Sequence, residues 1–387
     1  MRMILTVLFW IFAFIIVWAM GGYQLCLKFL ARIFKNRRLQ KDYSLQPTVT
    51  VMIVAHNEEK VIGAKLENVI DNDYPADKID YIVTSDFSTD ATEEIVERFI
   101  AAHPELRIRL HRAKDHKGKT NAQNEAQKLV QGEILVMTDA NAMFERNAVT
   151  ELAACFTAPD IAYVTGRLAY RNTDNNTAAA EAVYWESDLA QRETESNIRT
   201  ITAGNGAIYA CRNALYFDLN PIKCHDAHMP RHYGLQGLRA LYNPDAVAYE
   251  KAGEVLEDEF KRKVRMNRNI LPGIAEAVPC MNIFRLGWFS FFYFGHRTCR
   301  RLLWFAHAMV YLCSLVLAFR SCFFRIALAG QTVFYLLSLL ALKTRATNKL
   351  LKMMGYYTMT IGAQWVGVFN CLTGRSKATW DQAESTR

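Results

Sequence analysis

Four carboxylates occupy positions suited to chemistry rather than to solvated charge. Glu58 follows the apolar run TVTVMIVA, Asp86 follows YIVTS and Asp139 follows EILVMT, so each closes a short segment rich in β-branched and apolar residues. Asp226 stands in the polar stretch KCHDAH. Carboxylates gathered in one crevice can hold the base and ribose of a nucleotide, or a divalent cation whose shell the substrate's phosphates complete. One of them can also take a proton as a general base.

Other phosphate-binding motifs do not fit. HKGKT ends like a phosphate loop, but G-x-x-x-x-G-K-T requires glycine where Ala113 stands, and no G-x-G-x-x-G follows any strand. A nucleotide site made from carboxylates points to recognition of uracil and ribose with a metal-held diphosphate. A zinc site is the rival reading of KCHDAHMPRH, from Cys224, His225, His228 and His232. His228 and His232 share a helical face, yet no second Cys or His pair is suitably spaced.

The elements that must position these groups alternate along the chain. Strand TVTVMIVA precedes helix KVIGAKLENVI, YIVTSD precedes ATEEIVERFIAA, RIRLHRA precedes the loop KDHKGKT and helix NAQNEAQKLV, and EILVMTD follows. Strands alternating with helices predict an α/β domain with a mainly parallel sheet covered on both faces. Ligands of such sheets bind beyond the carboxyl ends of the strands, which is where Glu58, Asp86 and Asp139 fall.

The 387 residues are 51% hydrophobic and carry 46 Lys plus Arg against 38 Asp plus Glu, a net charge of +8. That composition excludes disordered, collagen-like and disulfide-scaffold classes. A mean hydropathy of −0.03 conceals segregation of apolar and charged segments. Residues 3–27 hold no charge and are long enough to cross a bilayer, and residues 302–319, 326–342 and 353–372 approach that length, so four spans are expected. A cleaved signal peptide is the alternative for the first, given Arg2 before it and Ala19 near its end.

Lys28, Arg32, Lys35, Arg37, Arg38 and Lys41 follow the first apolar run, a flank that the positive-inside rule places in the cytoplasm. The expected division is a membrane helix over 1–27, a basic juxtamembrane segment over 28–45 and a cytosolic domain over 46–278. An interfacial amphipathic helix over 279–301, membrane helices within 302–373 and a polar tail over 374–387 complete it. Dense aromatics with Arg285, Arg297, Arg300 and Arg301 suggest the interfacial helix. The nine cysteines show no C-x-x-C spacing and suit a reducing compartment. The basic flank suits anionic lipid headgroups, not nucleic acid.

Eight motifs in order resemble the family 2 glycosyltransferases of GT-A fold, in the membrane-integrated group of cellulose, hyaluronan and poly-N-acetylglucosamine synthases. They are VTVMIVAHNEE, SDFSTDAT, KGKTNAQN, TDAN, GNGAIYACR, KCHDAH, EFKRKVRMNRN and GHRTCRR. The resemblance implies a UDP-sugar donor, a Mg²⁺ or Mn²⁺ ion and inversion at the anomeric carbon. By position, it implies that Glu58 and Asp86 hold the uridine portion and that Lys119 lies beside the nucleotide. Asp139 opens the D-x-D motif, whose third position is Asn141 here. Asp226 matches the general base, with His225 replacing the acid that usually precedes it.

In EFKRKVRMNRN, Arg265 takes the Gln position of Q-x-x-R-W, Arg268 is retained to clamp the diphosphate and Asn269 replaces the Trp. Gly204 and Gly206 would allow close backbone approach near the donor sugar or acceptor, and Trp185 and Glu186 could face an acceptor groove. The tail ATWDQAESTR resembles the W-x-x-T-x-R ending of some relatives. The expected function is extension of a surface polysaccharide at the cytosolic face of the plasma (inner) membrane, with a homo-oligomer or export partner. Transfer of a single sugar to a lipid acceptor is the alternative, followed by an inactive scaffold.

Overall fold

The computed structural model describes residues 2–171, 176–251, 256–344 and 348–378. The expected W-x-x-T-x-R tail motif falls outside the described residues. The chain forms two compact units, one from Met1–Phe29, Leu256–Met281 and Phe291–Ser376, the other mainly from Leu30–Val255 with Asn282–Ser290.

The second unit is built on an eight-stranded sheet. β1 is Val49–Ala55, β2 Ile79–Ser85, β3 Ile108–Arg112, β4 Ile134–Asp139, β5 Met143–Phe144, β6 Ile161–Tyr170, β7 Ile208–Arg212 and β8 Arg239–Glu250. Their order across the sheet is β3-β2-β1-β4-β7-β6-β8-β5. β1 pairs in parallel with β2 and β4, β2 with β3, and β6 with β8, whereas β7 runs antiparallel to both β4 and β6, and β5 to β8. The sheet is therefore mixed and mainly parallel, as expected. All seven residues of β1 and of β2 are buried, the condition that a strand covered by helices on both faces must satisfy with a continuous apolar run.

Helices Ile62–Ile70, Thr92–Ala102 and Lys119–Gln127 follow β1, β2 and β3 in turn. Val51, Ile53, Leu66, Val83, Val96 and Val136 belong to one core cluster, and Met52, Leu135, Met137, Tyr163 and Tyr209 to another. Because side chains alternate across a strand, the odd and even residues of β1 feed different cores.

Among the described residues two helices are long and apolar enough to cross a membrane: Arg2–Ile33, of 32 residues and mostly in the first unit, and Cys322–Thr344, of 23. Trp288–Arg301 and Leu303–Ala318 add a third only if they form one span bent by 65°. The fourth expected span corresponds to helix Lys349–Leu372, which is long enough but carries Lys352, Gln364 and Asn370 among its apolar residues. It also leans on helix Leu256–Met266 and the turn after it: Tyr356 donates to Glu259 Oε1 at 3.0 Å, and Cys371 Sγ to the Arg268 carbonyl at 3.0 Å. A Cβ on Gly367 would come within 2.7 Å of the Asn267 carbonyl oxygen.

The single amphipathic helix expected over 279–301 is broken. Val278–Met281 is a 3₁₀ turn, and Gly287 at φ +53° separates Ile283–Leu286 from Trp288–Arg301. One of its rings fills a notch in the protein, and one of its glycines makes room for a ring from elsewhere. Phe289 lies where a Cβ on Gly234 would stand, and Gly295 of this segment leaves room for the Tyr23 ring.

Candidate active site

The carboxyl ends of β1 and β2 turn through left-handed backbone at Asn57, φ +54°, and Phe87, φ +61°. Asparagine tolerates that region, whereas a phenylalanine held there stores about 1–3 kcal/mol of strain. Asn57 Oδ1 accepts from the Thr89 amide at 2.7 Å and Glu58 N–H donates to the Thr92 hydroxyl at 2.7 Å, so the two loops are tied together. Glu58 is buried between them.

Asp86 is 1% exposed. Its Oδ2 lies 3.1 Å from His116 Nδ1, and the Gly118 and Lys117 amides also favour its charged form. Burial raises its pKa, with nearby His116 and His56 pulling the other way. The His56 and His116 rings stack with centroids 4.3 Å apart, and His56 Nδ1–H donates to the Asp86 carbonyl at 2.7 Å. His56, Asp86 and His116 are the one described group of three His, Cys, Asp or Glu close enough to share an ion. The residues of the zinc alternative make other contacts: His225 Nε2 meets the Tyr216 hydroxyl at 2.8 Å, His228 Nδ1 the Cys224 carbonyl at 2.9 Å, and His232 stacks on Phe217.

Asp139 ends β4, and Asn141 follows in the turn to β5. Lys119 opens its helix directly after Gly118, whose φ of +92° suits glycine, and its ammonium pairs with Asp139 Oδ1. Burial lowers the Lys119 pKa, but Asp139, Asp226 and Glu250 outweigh it and the net shift is upward. Asp139 is the acid Lys119 contacts, and Asp226 and Glu250 add a longer-range pull. A Cβ on Gly206 would stand 3.3 Å from Lys119 Nζ and 3.8 Å from Asp139 Oδ2, so its absence leaves open space beside the pair. Two residues earlier, the Gly204 amide donates to the Asp226 carbonyl at 2.7 Å. The close approach at Gly204 is to Tyr163, whose hydroxyl is 2.1 Å from where a Cβ would lie.

Asp226 occupies the first turn of helix His225–Leu235. The loop leading to it is clamped by the Lys119–Gln127 helix. Thr120 donates to the Lys223 carbonyl at 2.6 Å and Asn124 to the Leu219 carbonyl at 2.7 Å, while Tyr216 donates to Asn124 Oδ1 at 2.8 Å. His225 is buried against that tyrosine, and burial, followed by Lys119 and His228, lowers its pKa to about 3. It is therefore a neutral structural ring beside Asp226 at ordinary pH.

Trp185 donates to the Leu168 carbonyl at 3.0 Å beneath the Arg192 guanidinium, and Glu186 pairs with Arg167 at 2.7 Å. Arg268 belongs to the helical unit, in the turn between Leu256–Met266 and Ile270–Ala275.

Lys65 was not anticipated. It is fully buried, donates to the Thr138 hydroxyl at 3.0 Å and to the Ala142 carbonyl, and lies 4.1 Å over the Phe144 ring. It thereby holds both sides of the Asp139–Asn141 turn. Burial lowers its pKa to about 7 against the pull of Asp139 and Glu250.

The domain is a GT-A-like α/β fold with a mixed sheet. A mannosyltransferase from Pyrobaculum calidifontis, solved with GDP-Man and Mn²⁺, superimposes with a TM-score of 0.68 at 21% identity, over 96% of this chain and 99% of that one. Residues 47–269 match the Glycosyltransferase like family 2, and the chain belongs to that family. Similar proteins include the beta-monoglucosyldiacylglycerol synthase of Synechocystis sp., 30% identical over 44% of this chain and 36% of its own length. The hyaluronan synthase of Streptococcus pyogenes is 23% identical over 64% of this chain and 61% of its own. The chain spans about a third of the length of the first of these relatives.

Proposed function

We propose that the chain is an inverting glycosyltransferase using a UDP-sugar, with its sheet domain at the cytosolic face of the plasma membrane. The observation that carries this reading is the linkage of Lys119, Asp139, Gly206, Gly204 and Asp226 at the strand ends. Asp86 and Glu58 hold the uridine portion. An Asp226 carboxylate oxygen accepts the proton of the acceptor hydroxyl as that oxygen attacks the anomeric carbon, and the bond to the diphosphate breaks on the opposite face. Lys119 balances charge on the departing diphosphate.

A divalent cation suits these residues. Asp139 offers a carboxylate, Asn141 an amide oxygen, and the gap above Gly206 leaves room for phosphates to complete the shell. When bound, the ion supplies Lewis-acid stabilisation of the leaving group. Mg²⁺ and Mn²⁺ both fit this donor set.

For the acceptor we favour a membrane lipid that receives one sugar. Asn269 stands where the polymerising relatives place a stacking Trp. The glucosyldiacylglycerol synthase similarity supports the same reading. Polysaccharide extension is the second reading, supported by the ordered motif series and the hyaluronan synthase similarity. Membranes incubated with labelled UDP-sugars, followed by sizing of the product, test both: a discrete glycolipid is expected, and a polymer ladder overturns the lipid reading.

A further inference from the structure

A second concavity, of about 480 Å³, opens where the basic juxtamembrane segment crosses the end of helix Asn176–Ile198. Lys35, Arg37, Arg38 and Lys41 line it with Glu193 and Asp245, four cations against two acids, for a net +2. None of these residues belongs to the transfer site. Its floor is partly apolar, from Phe34, Leu39, Ile198 and Tyr242.

The segment is pinned into this shape. Arg37 Nη1 donates to the Ile198 carbonyl at 2.9 Å while its guanidinium lies 4.8 Å over the Phe34 ring. The Leu39 amide donates to Asn197 Oδ1 at 3.0 Å, and Phe34 meets Trp288 edge-on at 5.5 Å. Lys41 is engaged by Glu151 at 2.7 Å and Asp245 at 2.6 Å, so its charge is already matched. Lys35 and Arg38 are exposed at the rim and meet no carboxylate among the described residues. An unmatched cation pair on a fixed, half-apolar groove is a place for a singly charged anion that carries apolar substance with it.

The groove begins at the residues that follow Ile33, the last of a 32-residue helix apolar enough to cross a membrane. That position along the chain is where lipid headgroups are met. We infer that this groove seats the phosphodiester headgroup of an anionic bilayer phospholipid, with Lys35 and Arg38 as the phosphate contacts and the Phe34 face against the glycerol region. A general polybasic attraction needs only charge density. Here the backbone that carries the two donors is pinned, so headgroup chemistry and cation position both matter.

Native mass spectrometry of the full chain in neutral detergent, titrated with phosphatidylglycerol or phosphatidylcholine, tests the inference. Phosphatidylglycerol should remain bound at lower concentration than phosphatidylcholine. Lys35→Gln with Arg38→Gln should weaken its retention about 25-fold, at about fivefold per cation. Lys128→Gln with Arg98→Gln removes equal charge elsewhere on the same unit and should leave retention unchanged. Equal retention of the two lipids, or equal loss in the two double variants, overturns the site. Displacement of phosphatidylglycerol by a similar concentration of inorganic phosphate also overturns it, because the site would then read free phosphate. An unchanged melting temperature establishes that the variants fold. Glycosyl transfer is not read in this experiment, so its outcome is separate from that of the proposed function.

Discussion

The Lys119 ammonium and the Asp139 carboxylate are ion-paired through Nζ and Oδ1, so the acid best placed to receive a divalent cation is already matched by a cation of the chain. A metal arriving alone must displace Lys119. A metal arriving with a diphosphate need not, because the phosphates give Lys119 another partner.

Mn²⁺ should therefore bind more tightly in the presence of UDP than alone, as read by electron paramagnetic resonance of the free ion. Lys119→Met should tighten binding of Mn²⁺ alone by up to about tenfold, about 1.4 kcal/mol, while lowering transfer. Equal affinity in the variant and the parent would show that the pair does not compete with the ion.

Asp226→Asn preserves shape and removes the proton acceptor. Transfer should fall about 10²- to 10⁴-fold. Calorimetric affinity for the UDP donor should stay within about twofold of the parent. Transfer at the parental rate would exclude Asp226 as the base.

Asp86 offers a conflict between stability and binding. Burial raises its pKa above the ordinary carboxylate value, so the charged form is disfavoured in the folded chain and costs stability at neutral pH. Asp86→Asn should raise the thermal midpoint, about 2–4 °C for a gain of about 1 kcal/mol, and weaken UDP binding. A lower midpoint would mean that the pairing with His116 outweighs burial.

The neutral His225 ring predicts sensitivity to acid. Its folded pKa is about 3 against an ordinary 6.5, so between those values the unfolded chain takes up a proton that the folded chain refuses. Stability from this residue is full above pH 6.5 and falls as pH drops toward 3, by up to about 1.4 kcal/mol per unit. Thermal midpoints measured from pH 7 to 4.5 should fall more steeply in the parent than in His225→Gln. Matching slopes would place the acid sensitivity elsewhere.

The positions of Glu58, Asp86 and Asp139 were legible because doubly covered strands must be continuously apolar, which makes the acids just beyond each run stand out. Lys65 carried a signal that was passed over. It shares the apolar face of its helix with Ile62, Leu66 and Val69, all buried, and a lysine at a core position needs a partner. The antiparallel insertion of β7 had no comparable signal, since strand order depends on pairings distant in sequence. Segment 279–301 reads as one helix because its aromatics and arginines run on across Gly287, whose φ of +53° divides it. The fourth expected span, Lys349–Leu372, has the length of a span, but Lys352, Gln364 and Asn370 dilute its apolarity.

The Gly367 notch also bears on motion. With Asn267 seated against it and Cys371 bonded to the Arg268 carbonyl, the backbone carrying Arg268 is fastened to a 24-residue helix. A free arginine changes rotamer in picoseconds to nanoseconds, whereas displacement of a packed helix takes microseconds to milliseconds. Any displacement of the Arg268 backbone must therefore carry that helix along, on the slower of these timescales.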